Sequence, residues 1–216
     1  MAEREYRAFA FDVSAVQDEA NGTHLEGRPI VYNASTDLGC YDEIIDVGAL
    51  DATDLRDVRF LINHNTNMIP LARSRNNNAN STMQLSVDAE GMAIRVNLDV
   101  ENNAEARALY SSVERGDISG MSFMFTVDSD EWTGLDTEHP TRRIRSIERV
   151  FEVSAVTWPA YEQTSLEARS QALESARNAA KEALESARAQ EHLEELRKQI
   201  IEKVGEFRDG NPRNES

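Results

Sequence analysis

Cysteine is nearly missing from this chain of 216 residues. Cys40 stands alone, so an intramolecular disulfide is excluded and a thiolate metal cluster would need several chains. Basic charge is also scarce: 23 Lys and Arg face 39 Asp and Glu, a formal net charge of −16 with a pI near 4.7. A surface that acidic does not track a phosphate backbone or an anionic bilayer, so neither nucleic acid nor membrane is expected as a partner. No apolar run approaches the roughly 18 residues that a bilayer span needs, and the opening MAEREYRAFAFDV carries no apolar signal core. A soluble protein made in a cytoplasm is the expectation. The four histidines, His24, His64, His139 and His192, are too scattered for a metal site to be legible in their spacing, and nothing suggests a cofactor.

What is present divides near Tyr161. Before it stand 14 basic and 27 acidic residues, a charge of −13, and the remainder carries −3. Up to that point short runs rich in Val, Ile, Phe and Tyr alternate with Gly, Asn, Asp and Pro, a strand-like text. Residues 6–13 alternate and reach Asn21-Gly22, which predicts a hairpin into residues 25–32. Residues 42–50 form another short element. Residues 58–62 read as a buried strand running into Asn63-His64-Asn65, and residues 83–88 and 92–98 as a hairpin across Ala89-Glu90-Gly91. From Asn103 to Arg115, Ala104, Ala108, Leu109 and Val113 recur at helical spacing, and Gly116 supplies a stop. Residues 117–127 then predict a strand with Ser122, Met124 and Thr126 on one face and Met121, Phe123 and Phe125 on the other. A loop over Trp132–Arg142 and a long strand over Arg143–Thr157, closed by Trp158-Pro159-Ala160-Tyr161, complete a small barrel or sandwich.

After Tyr161 there is no Gly until Gly205, no Pro until Pro212 and no aromatic until Phe207, while Ala, Glu, Arg and Leu dominate. Such a composition predicts one long helix. Ala172–Arg177 returns as Ala183–Arg188, an 11-residue repeat, and Leu193, Leu196, Ile200 and Val204 form an apolar stripe suited to a partner helix or to self-association. The expected divisions are residues 1–163 for the β-domain, 164–207 for the helix and 208–216 for a disordered tail.

Peptide hydrolysis by an activated hydroxyl needs a nucleophile, a base and a third group that orients the base. His64 falls where an apolar strand meets a polar loop, and Ser122 lies inside a strand between Met121 and Phe123. On the last strand Glu148, Val150, Glu152, Ser154 and Val156 read as one face, which puts a carboxylate among apolar neighbours. Spacing alone leaves alternatives open. His64 fits a structural histidine, Ser122 a packing residue, and Glu148 a rim charge beside Arg143 or Arg145. Ser119 is a rival nucleophile at the strand entrance. His24 and His139 fall in turns and His192 on the solvated face of the helix, and none of the three receives a role.

Three blocks carry a resemblance: Leu61-Ile62-Asn63-His64-Asn65 with Pro70-Leu71-Ala72-Arg73, then Arg115 to Phe123 through Gly120-Met121-Ser122, then Phe151-Glu152-Val153-Ser154-Ala155-Val156-Thr157-Trp158-Pro159-Ala160. In this order they are similar to the prohead (capsid maturation) proteases of HK97-type tailed phages, over about residues 5 to 165. That family is similar in fold to the herpesvirus assemblins. The resemblance therefore implies a mainly β domain with helices (α+β), built on a small herpesvirus-protease-like β-barrel, with His64 as general base and Ser122 as nucleophile. The herpesvirus enzymes use a second histidine on the last strand, and this chain has none there. Glu152 occupies the matching place, with Glu148 as second choice, and Met124 replaces a residue that is often glycine. The resemblance further implies as substrates the major capsid protein precursor, the scaffold and the protease itself, inside the procapsid assembling in the host cytoplasm. Arg142, Arg143 and Arg145 then suggest an orienting role for an oxyanion-donor loop. A scaffold-like assembly protein that acts through its C-terminal helix, with little or no proteolysis, is the alternative.

Overall fold

The computed structural model describes residues 4–9, 13–18, 22–157 and 166–209. Two compact units result, Met1–Ser170 and Gln171–Ser216. The first contains strands β1 (Arg4–Phe9), β2 (Ser14–Asp18), β3 (Gly22–Val31), β4 (Ser35–Asp37), β5 (Asp42–Ile45), β6 (Asp57–Ile62), β7 (Ala72–Arg75), β8 (Met83–Asp88) and β9 (Gly91–Asn97). Helix α1 (Ala104–Glu114) and the long strands β10 (Gly120–Thr133) and β11 (Thr141–Val156) follow. Helix α2 spans Leu166–Asp209 and continues into the second unit.

The strands make two open sheets among the described residues, of seven and four strands. This corrects the closed barrel that the resemblance implies, while the mainly β content with two helices agrees with expectation. The physical reason lies in the N-terminal segment. Residues 6–13 read as one strand, but β1 pairs with β10, from Arg4 opposite Thr126 to Phe9 opposite Met121, whereas β2 pairs with β3 in the other sheet. Among the described residues no pairing joins the sheet edges, and the two sheets meet instead through one shared apolar core. Leu25, Met83, Met92 and Val96 from the smaller sheet are fully buried in that core with Phe60, Phe123, Phe125 and Val153 from the larger.

A hairpin does turn before Gly22, with Asp18 opposite Gly22, but its first strand is Ser14–Asp18 rather than residues 6–13, and residues 19–21 lie outside the described set. The β8–β9 hairpin forms as expected. Asp88 accepts the N–H groups of Glu90 and Gly91 at 2.8 and 3.2 Å, and Gly91 has φ +138° with the Ile30 carbonyl oxygen 2.0 Å from where a Cβ would stand, so glycine is required. Helix α1 begins where Asn103 caps the N–H groups of Glu105 and Ala106 and stops at Gly116, φ +78°. Its buried face is Ala106, Leu109 and Val113, and Ala104 and Ala108 are exposed, a quarter-turn from the expected stripe.

Three strands escape a reading of the sequence, β2, β4 and β7: β2 falls in the polar stretch after Val13, and Ser-Thr-Asp and Ala-Arg-Ser-Arg are polar edge segments without an apolar alternation. The expected loop over Trp132–Arg142 shrinks to residues 134–140, since Trp132 pairs with Arg142 and Thr133 with Thr141. His24 is not in a turn but buried within β3, its ring between the Gly22 carbonyl and Glu26. Trp158–Tyr161 and residues 210–216 lie outside the described residues, as do the side chains of His192, Leu196, Ile200 and Val204. No helix among the described residues is long and apolar enough to cross a membrane.

Candidate active site

Strand β11 is where the site is built, through its departures from regular pairing. Met124 faces Glu152 but Phe125 faces Val150, and Thr126 faces Arg149 but Val127 faces Ile147, so Phe151 and Glu148 are extra residues. Each extra residue inverts the alternation. The core side chains of β11 are consequently Ile144, Ile147, Val150, Val153 and Ala155, and of the face expected to hold Glu148, Val150, Glu152, Ser154 and Val156 only the regularly paired Glu152, Ser154 and Val156 remain together. Val150 points into the core, Glu148 is exposed on a bulge, and only Glu152 and Ser154 turn toward Ser122.

His64 reaches the same place from a tight turn at the end of β6. Asn63 and His64 have φ +48° and +55°, the left-handed region, which costs a non-glycine residue roughly 1–2 kcal/mol. Five hydrogen bonds hold them there: Asn63 N–H to the Ala155 carbonyl, His64 N–H to Ser154 Oγ, Asn65 N–H to the Ile62 carbonyl, and Thr157 N–H and Oγ1–H to Asn63 Oδ1, each 3.0 Å. Asparagine suits both demands, tolerating the backbone conformation and supplying the acceptor. β6 and β11 pair in parallel with Leu61 opposite Ser154, which brings the turn over Glu152.

There His64 Nδ1 makes a short contact with Glu152 Oε1, and His64 Nε2 lies 2.6 Å from Ser122 Oγ. A carboxylate facing Nδ1 requires the N–H on that nitrogen and leaves Nε2 as an acceptor for the serine hydroxyl. Ser122 Oγ also lies 2.8 Å from the Arg7 carbonyl, a second acceptor for the same single proton. The whole constellation is dry: Ser122, Glu152 and the His64 side chain are 1, 2 and 5 % exposed. Part of the cover is Tyr6, whose ring meets the imidazole edge-on at 4.9 Å.

Clefts flank the His64 turn. One of about 300 Å³ is lined by Arg4, Arg59, Met68, Met124, Phe151 and Glu152, and another of about 400 Å³ by Asn63, Asn65, Met68, Leu109 and Ile118. Glu148 and Ser119 enter neither the triad nor these clefts, and Ser119 is exposed ahead of β10.

The arginines of β11 do a different job from the donor-loop role expected of them. Arg142 is buried and binds Glu5 (2.6 Å), Asp130 (2.6 Å) and Glu43 (3.1 Å), while Arg7 pairs with Glu43 and Glu5. Arg143 and Arg145 both bind Asp46. Their donors are committed to carboxylates that tie β1, β5 and β10 to β11. Burial pulls the Arg142 guanidinium toward neutrality, but the Glu5 hydrogen bond and the Glu43 charge outweigh it and raise its pKa. Burial likewise pushes the Glu5 carboxyl up, and Arg142 and Arg7 outweigh that and hold it below its ordinary value. Asp37, Asp42 and His139 gather at the surface with ligand-type atoms within 4.8 Å, a grouping that their spacing did not signal.

Set beside known proteins, residues 9–179 match the family described as the caudovirus prohead serine proteases. The chain belongs to that family and is a serine peptidase. It is similar to the "Prohead protease" of Enterobacteria phage HK97, 28 % identical over 168 residues that cover 75 % of this chain and 68 % of that one. No solved structure matches it.

Proposed function

We propose that this chain matures the phage procapsid by cleaving peptide bonds with Ser122 as nucleophile, His64 as general base and Glu152 as the group that orients the base. The observation that carries the reading is the unbroken line Glu152 Oε1, His64 Nδ1, His64 Nε2, Ser122 Oγ, with the last step 2.6 Å. As Ser122 Oγ attacks a peptide carbonyl, its proton passes to His64 Nε2 and the ring becomes an imidazolium whose charge Glu152 balances. The tetrahedral oxyanion collapses, the C–N bond breaks, and His64 gives its proton to the leaving amine. Water then repeats the sequence against the acyl-serine, with His64 as base, and frees the enzyme. In a site this dry the Glu152 charge acts at short range and low dielectric, where it is worth more than in water.

The substrates on this reading are the major capsid protein precursor, the scaffold and the chain itself, met inside the procapsid. Residues 164–207, with an apolar stripe at Leu193, Leu196, Ile200 and Val204, supply the contact with scaffold or capsid helices that places the enzyme there. A scaffold-like protein without cleavage is set aside by membership of a peptidase family. The intact masses of the chain and of Ser122→Ala, each incubated alone and with the capsid precursor of the same phage, test the reading. Shortening of chain or precursor with the first and none with the second is expected. Equal cleavage by both sinks the nucleophile assignment.

A further inference from the structure

We propose that Ser154 is a positioning residue of this reaction, a neutral clamp that holds Glu152 and the His64 backbone in one geometry. The inference rests on the triad reading above and extends it to a fourth side chain. Ser154 is completely buried, and it sits where the three strands that carry the triad cross: opposite Ser122 on β10, opposite Leu61 on β6, and two residues after Glu152 on β11. Its hydroxyl donates to Glu152 Oε2 at 2.6 Å and accepts the His64 backbone N–H at 3.0 Å.

Both halves of that arrangement bear on the chemistry. Glu152 is buried, and its two oxygens have separate partners, Oε1 facing the imidazole and Oε2 the Ser154 hydroxyl. A neutral donor on Oε2 fixes the carboxylate plane without cancelling its charge, so the full charge remains for the imidazolium that forms during attack. An arginine in the same position would compete for that charge. The other half concerns His64, whose backbone is left-handed and has its N–H pointing at Ser154 Oγ. Backbone, Ser154, Glu152 and imidazole thus form a closed ring of hydrogen bonds that begins and ends on His64. Loss of the hydroxyl opens the ring in two places, and a displacement of the imidazole by a fraction of the Ser122–His64 distance is enough to slow proton transfer.

The test uses the full chain and a fluorophosphonate probe, which needs no knowledge of the cleavage site. In this reaction Ser122 Oγ bonds to phosphorus, fluoride leaves and His64 takes the hydroxyl proton, so the rate reports the nucleophile as the base activates it. Ser122→Ala is expected to abolish labelling, and labelling that survives there is a failure of the nucleophile assignment that takes this inference with it. Ser154→Ala is expected to lower the labelling rate about 10- to 100-fold and to move the midpoint of its pH profile. In a Glu152→Gln background the same substitution is expected to have a clearly smaller further effect, because only the bond to the His64 backbone N–H is then left to lose. If Ser154→Ala fails to fold, Ser154→Cys, of similar shape with a weak donor, is read in the same cycle. A wild-type rate and pH midpoint in the Ser154 variant overturns the proposal. So does an equal loss in both backgrounds, which shows that Ser154 does not act through the Glu152 carboxylate.

Discussion

The two ends of β11 handle buried charge in opposite ways. At residues 142–145 every arginine meets carboxylates, and Arg7, Glu43, Glu5 and Asp130 complete a network in which each charge has an opposite neighbour. At residues 152–154 a buried carboxylate pairs with no Arg or Lys among the described residues: its partners are an imidazole and a hydroxyl. The first arrangement is static, because the arginines stay protonated at any pH that the fold survives. On the proposed mechanism the second carboxylate gains its opposite charge only when the imidazole takes the serine proton, as a hydrolytic site requires. Burial with a perfect ion pair marks structure, and burial with an incomplete one marks chemistry.

Removing the proposed nucleophile separates the two ends most sharply. Ser122→Ala is expected to lower kcat/KM on capsid precursor by about 10⁴-fold or more, with the urea midpoint nearly unchanged. Next, Glu152→Gln keeps the shape and removes the charge, and a loss of about 10²- to 10⁴-fold in kcat is expected. A Glu152→Gln enzyme as fast as wild type would break the comparison outright. At the other end the order of effects reverses. Arg142→Met removes one of the two buried guanidiniums that balance Glu5 and Glu43, leaving Arg7 to face both carboxylates, and is expected to cost about 3–5 kcal/mol of stability in urea unfolding, while the Ser122–His64–Glu152 geometry is left alone.

Acid sharpens the same contrast. Glu5 has a folded pKa held below its unfolded value near 4.3, so its contribution is complete above that value and is lost as pH falls through the folded one. The urea midpoint of the wild type is therefore expected to drop more steeply below about pH 4 than that of Glu5→Gln. The smallest effect belongs to Glu148, exposed on its bulge. Glu148→Gln is expected to change stability by less than about 0.5 kcal/mol and cleavage hardly at all, and a loss comparable to Glu152→Gln would return it to the site.

His64, Ser122 and Glu152 were legible as separate residues, His64 from its place between an apolar strand and a polar loop and Ser122 from a hydroxyl within an apolar run. Resemblance, rather than spacing, joined them. Ser154 was missed in its role although it was read as a neighbour of Glu152, since a serine in a strand carries no charge or periodicity to single it out. The common face of Glu148, Val150 and Glu152 was misread for a plain reason. Alternation assumes one residue opposite one, and the extra residues Glu148 and Phe151 break that count. Bulges leave no composition signal of their own.

By itself the sequence determined what depends on neighbours along the chain: an acidic chain without an internal disulfide, a β-rich front and a helical back, the β8–β9 hairpin, and the stop of α1. These follow from side-chain period, turn chemistry and propensity, all local quantities. Tertiary structure alone decided which sheet each half of the N-terminal segment joins, which face of β11 turns inward after each bulge, and which carboxylate meets the imidazole. Those outcomes depend on strands 58 and 88 residues apart packing at hydrogen-bond distance, and such pairings are set by the shared core rather than by any stretch read alone.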